Sequence, residues 1–272
     1  MQLSIVIPVT NDLRLKNCIE SIDENVEVVI SLNKPSIEIK KLVKNIIQSQ
    51  KSKNNLNIVV CKINEASIAR AYNNGIEHSS NNKILLMDSD CVFEKETIKK
   101  LDNNLGNNLL SKGKVIFNRN SLLTSIVASA REYHTSDKVS AYSPPLLFRK
   151  RVKKYIGGYY FHPSLCWSED SEFDMRVKKE NLKISYDPTA IVYHPVLSVW
   201  SDLKSSFWYG VGRRIGVEVG VRDKPVGVFG SFRKYVFDAS KEKGPLVGIY
   251  LFIWKMSTLF GYRVQEIFKL RK

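Results

Sequence analysis

The residues best suited to chemistry stand at the end of a hydrophobic run. Lys83-Ile84-Leu85-Leu86-Met87-Asp88-Ser89-Asp90 passes from four apolar side chains to two carboxylates one residue apart. Such a run is too short for a membrane span and reads as a strand buried on both faces. In an open parallel sheet, ligands gather at the carboxyl ends of the strands, where these acids would stand. Two hard oxygen donors flanking a small serine can hold a divalent cation whose other ligands are water and phosphate oxygens. Taken alone, the triplet could equally be a surface turn. A second acidic pair, Glu169-Asp170, begins a segment with Phe173 and Val177 at helical spacing. Neighbours on a helix point about 100° apart, so only one of the pair is expected to face a substrate as a base. The alternative is that both acids complement the helix N-terminus. His194 closes the apolar segment Ile191-Val192-Tyr193.

Those side chains need a scaffold, and the chain before Asp88 alternates in a way that supplies one. Leu3 to Val9 reads as a buried strand ended by Pro8, and Thr10-Asn11-Asp12 offers N-caps for a helix carrying Leu15, Cys18, Ile19 and Ile22. Val26 to Leu32 is a second strand, followed by a turn at Asn33-Lys34-Pro35-Ser36 and a helix with Ile39, Leu42, Val43 and Ile46 on one face. Asn54-Asn55 breaks that pattern before a third strand, Leu56 to Ile63. A further helix over Ser67 to Ile76, stopped near Gly75, leads into the acid-tipped strand. The alternation predicts a doubly wound α/β arrangement with right-handed crossovers. Neither GxGxxG after the first strand nor GxxxxGK[ST] anywhere is present, so a classical dinucleotide site or P-loop is not expected.

The 272 residues suffice for one large core, or a core domain with an appendage. The formal net charge is +15, and residues 149–272 hold 23 Lys+Arg against 12 Asp+Glu. A basic half implies an anionic partner such as phosphorylated substrate, lipid head groups or nucleic acid. No tight basic run or nucleic-acid motif occurs, which argues against nucleic acid. Cys18, Cys61, Cys91 and Cys166 form no CxxC pair, so reduced, buried thiols in the cytoplasm are expected. Met1-Gln2-Leu3 runs straight into a strand with no basic n-region, so no signal peptide is expected.

Several segments, in order, resemble the family 2 glycosyltransferases of GT-A fold. They are Leu3 to Asp12, Ser67-Ile68-Ala69-Arg70-Ala71-Tyr72-Asn73-Asn74-Gly75-Ile76, Leu85 to Asp90, Gly157-Gly158-Tyr159 before Ser168-Glu169-Asp170, and Tyr186 to His194. The resemblance covers roughly residues 3–195. It implies a Rossmann-like α/β fold with a mixed central sheet flanked by helices, over residues 1–198. It also implies an inverting enzyme that moves a sugar from a nucleotide-diphosphate donor, expected to be a UDP-sugar, to a glycan or lipid-linked hydroxyl acceptor. Mn²⁺ or Mg²⁺ is the expected cofactor, because a cation neutralises the charge developing on the departing diphosphate.

Residue by residue, the resemblance implies Asp90 as direct metal ligand, with Asp88 facing ribose or metal-bound water and His194 approaching the metal or diphosphate. Pro8, Thr10, Asn11 and Asp12 would cradle the nucleotide, with Ser89 also on the donor side and Arg70 as a nucleotide or phosphate contact. Asn33 stands where relatives carry an acid that binds the base. Asp170 would be the base, with Trp167 and Glu169 on the acceptor side. Residues 199–272 lie outside the resemblance and read as a basic, aromatic-rich, helical extension. Its run from Leu246 to Phe260, interrupted by Lys255, falls short of the ~20 residues needed to span. It suits an anionic membrane surface, a helical cap, or both. A cytoplasmic enzyme at the inner membrane face, engaged in cell-surface polysaccharide synthesis, is therefore expected. The rivals are a sugar-phosphate nucleotidyltransferase, which would carry a Gly-rich basic loop in place of Pro8-Val9-Thr10-Asn11-Asp12, and a basic nucleic-acid-binding protein. The sequence leaves the oligomeric state open.

Overall fold

A computed structural model of the chain describes residues 1–53, 56–224 and 228–270; the expected break at Asn54-Asn55 lies outside them. The first half alternates as its apolar spacing requires: β1 (Ser4–Val9), α1 (Leu15–Glu20), β2 (Glu27–Asn33), α2 (Ile37–Lys53), β3 (Asn57–Ile63), α3 (Ile68–His78) and β4 (Lys83–Leu86). β1 pairs in parallel with β2 and β4, and β2 with β3. Every residue of β1 and β2 is buried, as expected of strands covered on both faces.

The sheet then changes character. β5 (Val92–Phe93), α4 (Thr97–Leu105), β6 (Leu110–Phe117), α5 (Leu122–Glu132), β7 (Leu146–Arg149), α6 (Glu169–Lys179) and β8 (Ile184–His194) complete an eight-stranded sheet ordered β3-β2-β1-β4-β7-β6-β8-β5. β7 runs antiparallel to both β4 and β6, so the sheet is mixed. This reversal sets the carboxyl ends of β1, β2 and β4 on the same rim as that of β8, where His194 lies. Two buried clusters fill the core, one including Ile5, Ile7, Leu85 and Met87, the other Val6, Leu86, Phe148 and Phe173. Alternation along β1 and β4 sends consecutive residues to opposite clusters.

Three helices follow: α7 (Val199–Glu218), α8 (Val228–Lys243) and α9 (Pro245–Phe268). They dock on α5 through a third cluster in which Val127, Ala130 and Tyr133 meet Val247, Leu251 and Trp254. α7 and α9 pack closely, because a side chain at Gly210 would collide with the Thr258 carbonyl and one at Gly261 with the Phe207 carbonyl. The apolar run from Leu246 is thus part of a longer helix, with Tyr250, Leu251 and Trp254 facing inward. Among the described residues, no helix is long and apolar enough to cross a membrane.

Three local expectations are corrected. The N-cap position of α1 falls on Arg14, which makes no side-chain cap bond, rather than on Thr10, Asn11 or Asp12. The Asp12 carboxylate instead accepts the Arg14 backbone N–H and its guanidinium. Cys166 is only half-buried, whereas the other three cysteines are buried free thiols. Lastly, α3 runs through Gly75 to His78 instead of ending there. Gly75 serves close approach, since a methyl group at this position would overlap Val6 Cγ1 and touch Ser31 Cβ. Helix α3 therefore lies directly on β1 and β2. Gly75→Ala is expected to destabilise the chain by about 1–3 kcal/mol through overpacking. A lower urea midpoint with an unchanged slope would check this, and an unchanged midpoint would count against it.

Candidate active site

One cavity of about 980 Å³ opens at the carboxyl rim of the sheet. It is lined by Pro8, Thr10, Asn11, Asp12, Asn33, Asp88, Ser89, Asp90, Trp167, Glu169, Asp170 and His194. Residues from the β1, β2, β4 and β8 ends are thus gathered with the start of α6. Arg70 is the exception. It is half-exposed on α3, paired with Glu65 at 2.6 Å, and does not line the cavity. Its place one turn into α3 directs the long side chain toward solvent, where the nearby glutamate holds it.

The two aspartates after β4 differ in setting. Asp88 accepts a 2.8 Å hydrogen bond from Tyr72 Oη, and burial together with Asp90 pushes its carboxyl up to about 7. Asp90 lies 3.3 Å from Arg14 and 3.8 Å from His194 Nε2. His194 Nδ1 is 2.8 Å from the Pro195 carbonyl oxygen, which accepts its proton and leaves the Nε2 lone pair toward Asp90. Burial lowers the His194 pKa and favours this neutral form. Among the described residues, Asp90, Cys91 and His194 form the one compact group of potential metal ligands. Burial raises the Cys91 thiol well above its usual range, so it stays protonated and is a poor ligand. One carboxylate and one neutral imidazole beside open space suit Mg²⁺ or Mn²⁺, which retain water and phosphate ligands. Asp88, turned toward Tyr72, is outside the compact group.

On the β1–β2 side, Asn33 lines the cavity and its Oδ1 accepts the backbone N–H of Ser67 at 2.9 Å, fixing the residue whose hydroxyl caps α3. Asn11 Oδ1 accepts the Ser36 N–H. Burial would raise the Asp12 carboxyl, but the hydrogen bonds from Arg14 outweigh it and hold the group low.

Helix α6 presents both acids to the cavity, not one. The cavity wraps around the first turn, so a 100° difference in direction does not separate them. Ser168, at φ 66, turns the chain sharply into the helix. Burial raises both Glu169 and Asp170 above the usual carboxylate range. Asp170 Oδ1 accepts the Ser171 N–H at 2.6 Å, whereas Glu169 Oε2 has no hydrogen-bond partner among the described residues. The helix is held from behind by a buried pair: Arg176 donates to Glu172 at 2.6 and 2.8 Å. The same guanidinium donates to the carbonyls of Ile156 and Tyr159 on either side of Gly157-Gly158. Both glycines have positive φ, which lets the loop curl over the guanidinium.

Sequence reasoning missed a group on the far wall: Arg131, His134, Tyr142, Arg213, Arg222 and Lys255 also line the cavity. Their sequence signal is weak, since arginines and lysines on helices most often face solvent. Lys112 was missed as well. It is fully buried behind the site and donates to the carbonyls of Tyr142 and Pro144 at 2.6 and 2.7 Å.

Residues 4–112 match the family model described as Glycosyl transferase family 2. Among solved structures, S. aureus TarS 1-349 in complex with UDP-GlcNAc is 15% identical, with a TM-score of 0.55 and coverage of 99% of this chain and 92% of that one. The mannosyltransferase PcManGT from Pyrobaculum calidifontis, in complex with GDP-Man and Mn²⁺, is 13% identical, with a TM-score of 0.66 and coverage of 99% and 88%. No curated protein matches the sequence.

The raised acids set a pH dependence. Because the folded value of Asp88 lies above the unfolded one, the stability it contributes is present below about pH 4 and lost as pH rises through 7. Between pH 5 and 7.5, wild type is therefore expected to lose roughly 2 kcal/mol relative to Asp88→Asn. Urea unfolding of both proteins at the two pH values measures the difference, and parallel pH profiles would contradict it.

Proposed function

We propose that this chain of GT-A fold is an inverting, metal-assisted glycosyltransferase that takes its sugar from a nucleotide-diphosphate donor, a UDP-sugar. The observation that carries the reading is the convergence of Asp90, His194 and Asp170 on one cavity at the sheet's carboxyl rim. Pro8, Thr10, Asn11, Asp12 and Asn33 bind the nucleoside in this reading, with Ser89 and Asp88 beside the ribose. Asp90 and His194 hold Mn²⁺ or Mg²⁺, which when bound neutralises charge on the diphosphate leaving group. TarS with its UDP-sugar and PcManGT with GDP-Man and Mn²⁺ support a nucleotide sugar and a divalent ion.

Asp170 takes the proton from an acceptor hydroxyl as that oxygen attacks the anomeric carbon from the face opposite the diphosphate, so configuration inverts. A carboxyl raised by burial is a stronger base than an exposed one, which suits it to this proton. Trp167, stacked on Trp208 at 6.3 Å, offers the acceptor sugar an apolar face. Glu169, buried with an unpaired oxygen, acts alongside as an acceptor contact.

Calorimetry of UDP and GDP, with and without Mn²⁺, tests the donor side. UDP is expected to bind better, and Asp90→Ala to remove the Mn²⁺-dependent part. With donor binding intact, Asp170→Asn is expected to lower transfer by ~10²–10⁴-fold, because positioned proton transfer contributes about that much. Near-normal turnover in Asp170→Asn alongside a dead Glu169→Gln would reverse the two roles.

The acceptor in this reading is a glycan or lipid-linked hydroxyl presented at the inner membrane face. Outward on α9, Leu246, Ile249, Ile253, Met256 and Phe260 are exposed, following one another by three and four residues along a single stripe. Trp200 at the start of α7 is 79% exposed. An apolar stripe on a basic helical region suits insertion among anionic head groups. Binding to anionic vesicles that weakens with salt and falls at least about tenfold in Ile249→Glu/Ile253→Glu is expected. Equal retention on neutral vesicles would remove the electrostatic part.

A further inference from the structure

Four cations gather on the wall of the cavity opposite the β1, β2 and β4 rim. Arg131 on α5, Arg213 on α7, Lys255 on α9 and Arg222 just after α7 all line it. Among the described residues, no ion pair or hydrogen bond engages Lys255 Nζ, which lies 5.2 Å and 5.3 Å from the ring centres of Tyr235 and Trp254. Arg213 likewise has no acidic partner among them. Arg131 reaches Asp202 only at 3.6 Å, and its Nε has no hydrogen bond. Arg222 Nε is also unpartnered, while its Nη2 touches the Ser168 carbonyl at 3.4 Å. These cations act on one another: burial, Arg213 and Arg131 together lower Lys255 to about 8, and burial with Arg213 lowers Arg222. Arg213 is exposed and Arg131 has Asp202, but Lys255 and Arg222 are largely desolvated with no carboxylate at ion-pair distance among the described residues, a cost that a bound anion would relieve.

We propose that the acceptor is anionic and that a phosphate on it is held by Arg131, Arg213, Arg222 and Lys255 while its hydroxyl faces Asp170. The inference rests on the glycosyltransferase reading above. The donor diphosphate is a second possible source of phosphate, but its place is the Asp90–His194 side, beside Arg14. The four cations instead come from α5, α7, α9 and the segment after α7. Arg131 and Arg222 also favour the charged form of Asp170, which lines the same cavity. Three guanidinium forks favour phosphate over carboxylate, because phosphate offers oxygens for several bidentate contacts at once.

Full-length protein saturated with UDP and Mg²⁺ has its donor site filled, and glucose 1-phosphate, inorganic phosphate and glucose are then titrated by calorimetry. Both phosphates are expected to bind and glucose not to. Arg213→Gln and Lys255→Gln are each expected to weaken glucose 1-phosphate roughly tenfold while UDP affinity stays within about twofold, since each removes one charge-assisted contact. Equal affinity for glucose and glucose 1-phosphate overturns the inference. So does a matching fall in UDP affinity in both variants, which would assign the cations to the donor. If UDP fails to bind wild type, the donor reading falls instead, and the same phosphate titration of unloaded protein still decides whether the cationic wall is a site.

Discussion

Asp88, Asp90, Glu169 and Asp170 share one cavity, and like charges at such density cannot all ionise without compensation. Much of the surrounding structure answers that constraint. Tyr72 donates to Asp88, Arg14 lies against Asp90, and the charges of Arg131 and Arg222 act on Asp170. Lys112 acts from beneath. Burial lowers it to about 7, yet the charges of Asp170 and Asp88 favour its protonated form. Its two bonds to the Tyr142 and Pro144 carbonyls fix the loop before β7 that carries Tyr142 and Ser143 into the cavity. Removing any one compensating group leaves its acid poorer in partners, so the site behaves as a coupled electrostatic unit.

Position is enforced separately from charge. The Arg176–Glu172 pair is buried, and breaking such a pair by removing one partner costs about 3–5 kcal/mol. It fastens α6 to the Gly157-Gly158 loop, while Asp174 accepts the Ala141 N–H at 2.7 Å. Phe173 packs between Phe148 of β7 and Phe161. The first turn of α6 is therefore fixed by contacts made further along the same helix, leaving Glu169 and Asp170 unencumbered at the rim.

The sequence was most informative where apolar periodicity was strong and chain neighbours were also spatial neighbours. β1, β2, β3 and β4 announced themselves by continuous apolar runs, and the acids at the end of β4 followed from topology. Asp90 and His194 were legible as candidates because each follows or closes such a strand, and Asp170 because it opens a segment with Phe173 and Val177 at helical spacing. Arg70 was misplaced because a motif fixes a residue's position on a helix but not the direction of a long flexible side chain. Gly75 was misread because a glycine that permits close packing looks the same in sequence as one that ends a helix. The cationic wall was illegible for a different reason. Arg131, Arg213, Arg222 and Lys255 are spread over more than a hundred residues, and only the docking of α7 and α9 on α5 unites them.

The closeness of α7 to the site has a temporal consequence. A side chain at Gly212 would collide with the Trp167 carbonyl, and Ser168 Oγ donates to the Tyr209 carbonyl at 2.8 Å. The entry to α6 is thus moulded against a helix synthesised about forty residues later, and Lys255 arrives later still. During translation the rim built from β1, β2 and β4 emerges well before the opposite wall. A ribosome-bound chain therefore passes through an interval in which the acid-tipped strand is present but the cavity still lacks its far wall.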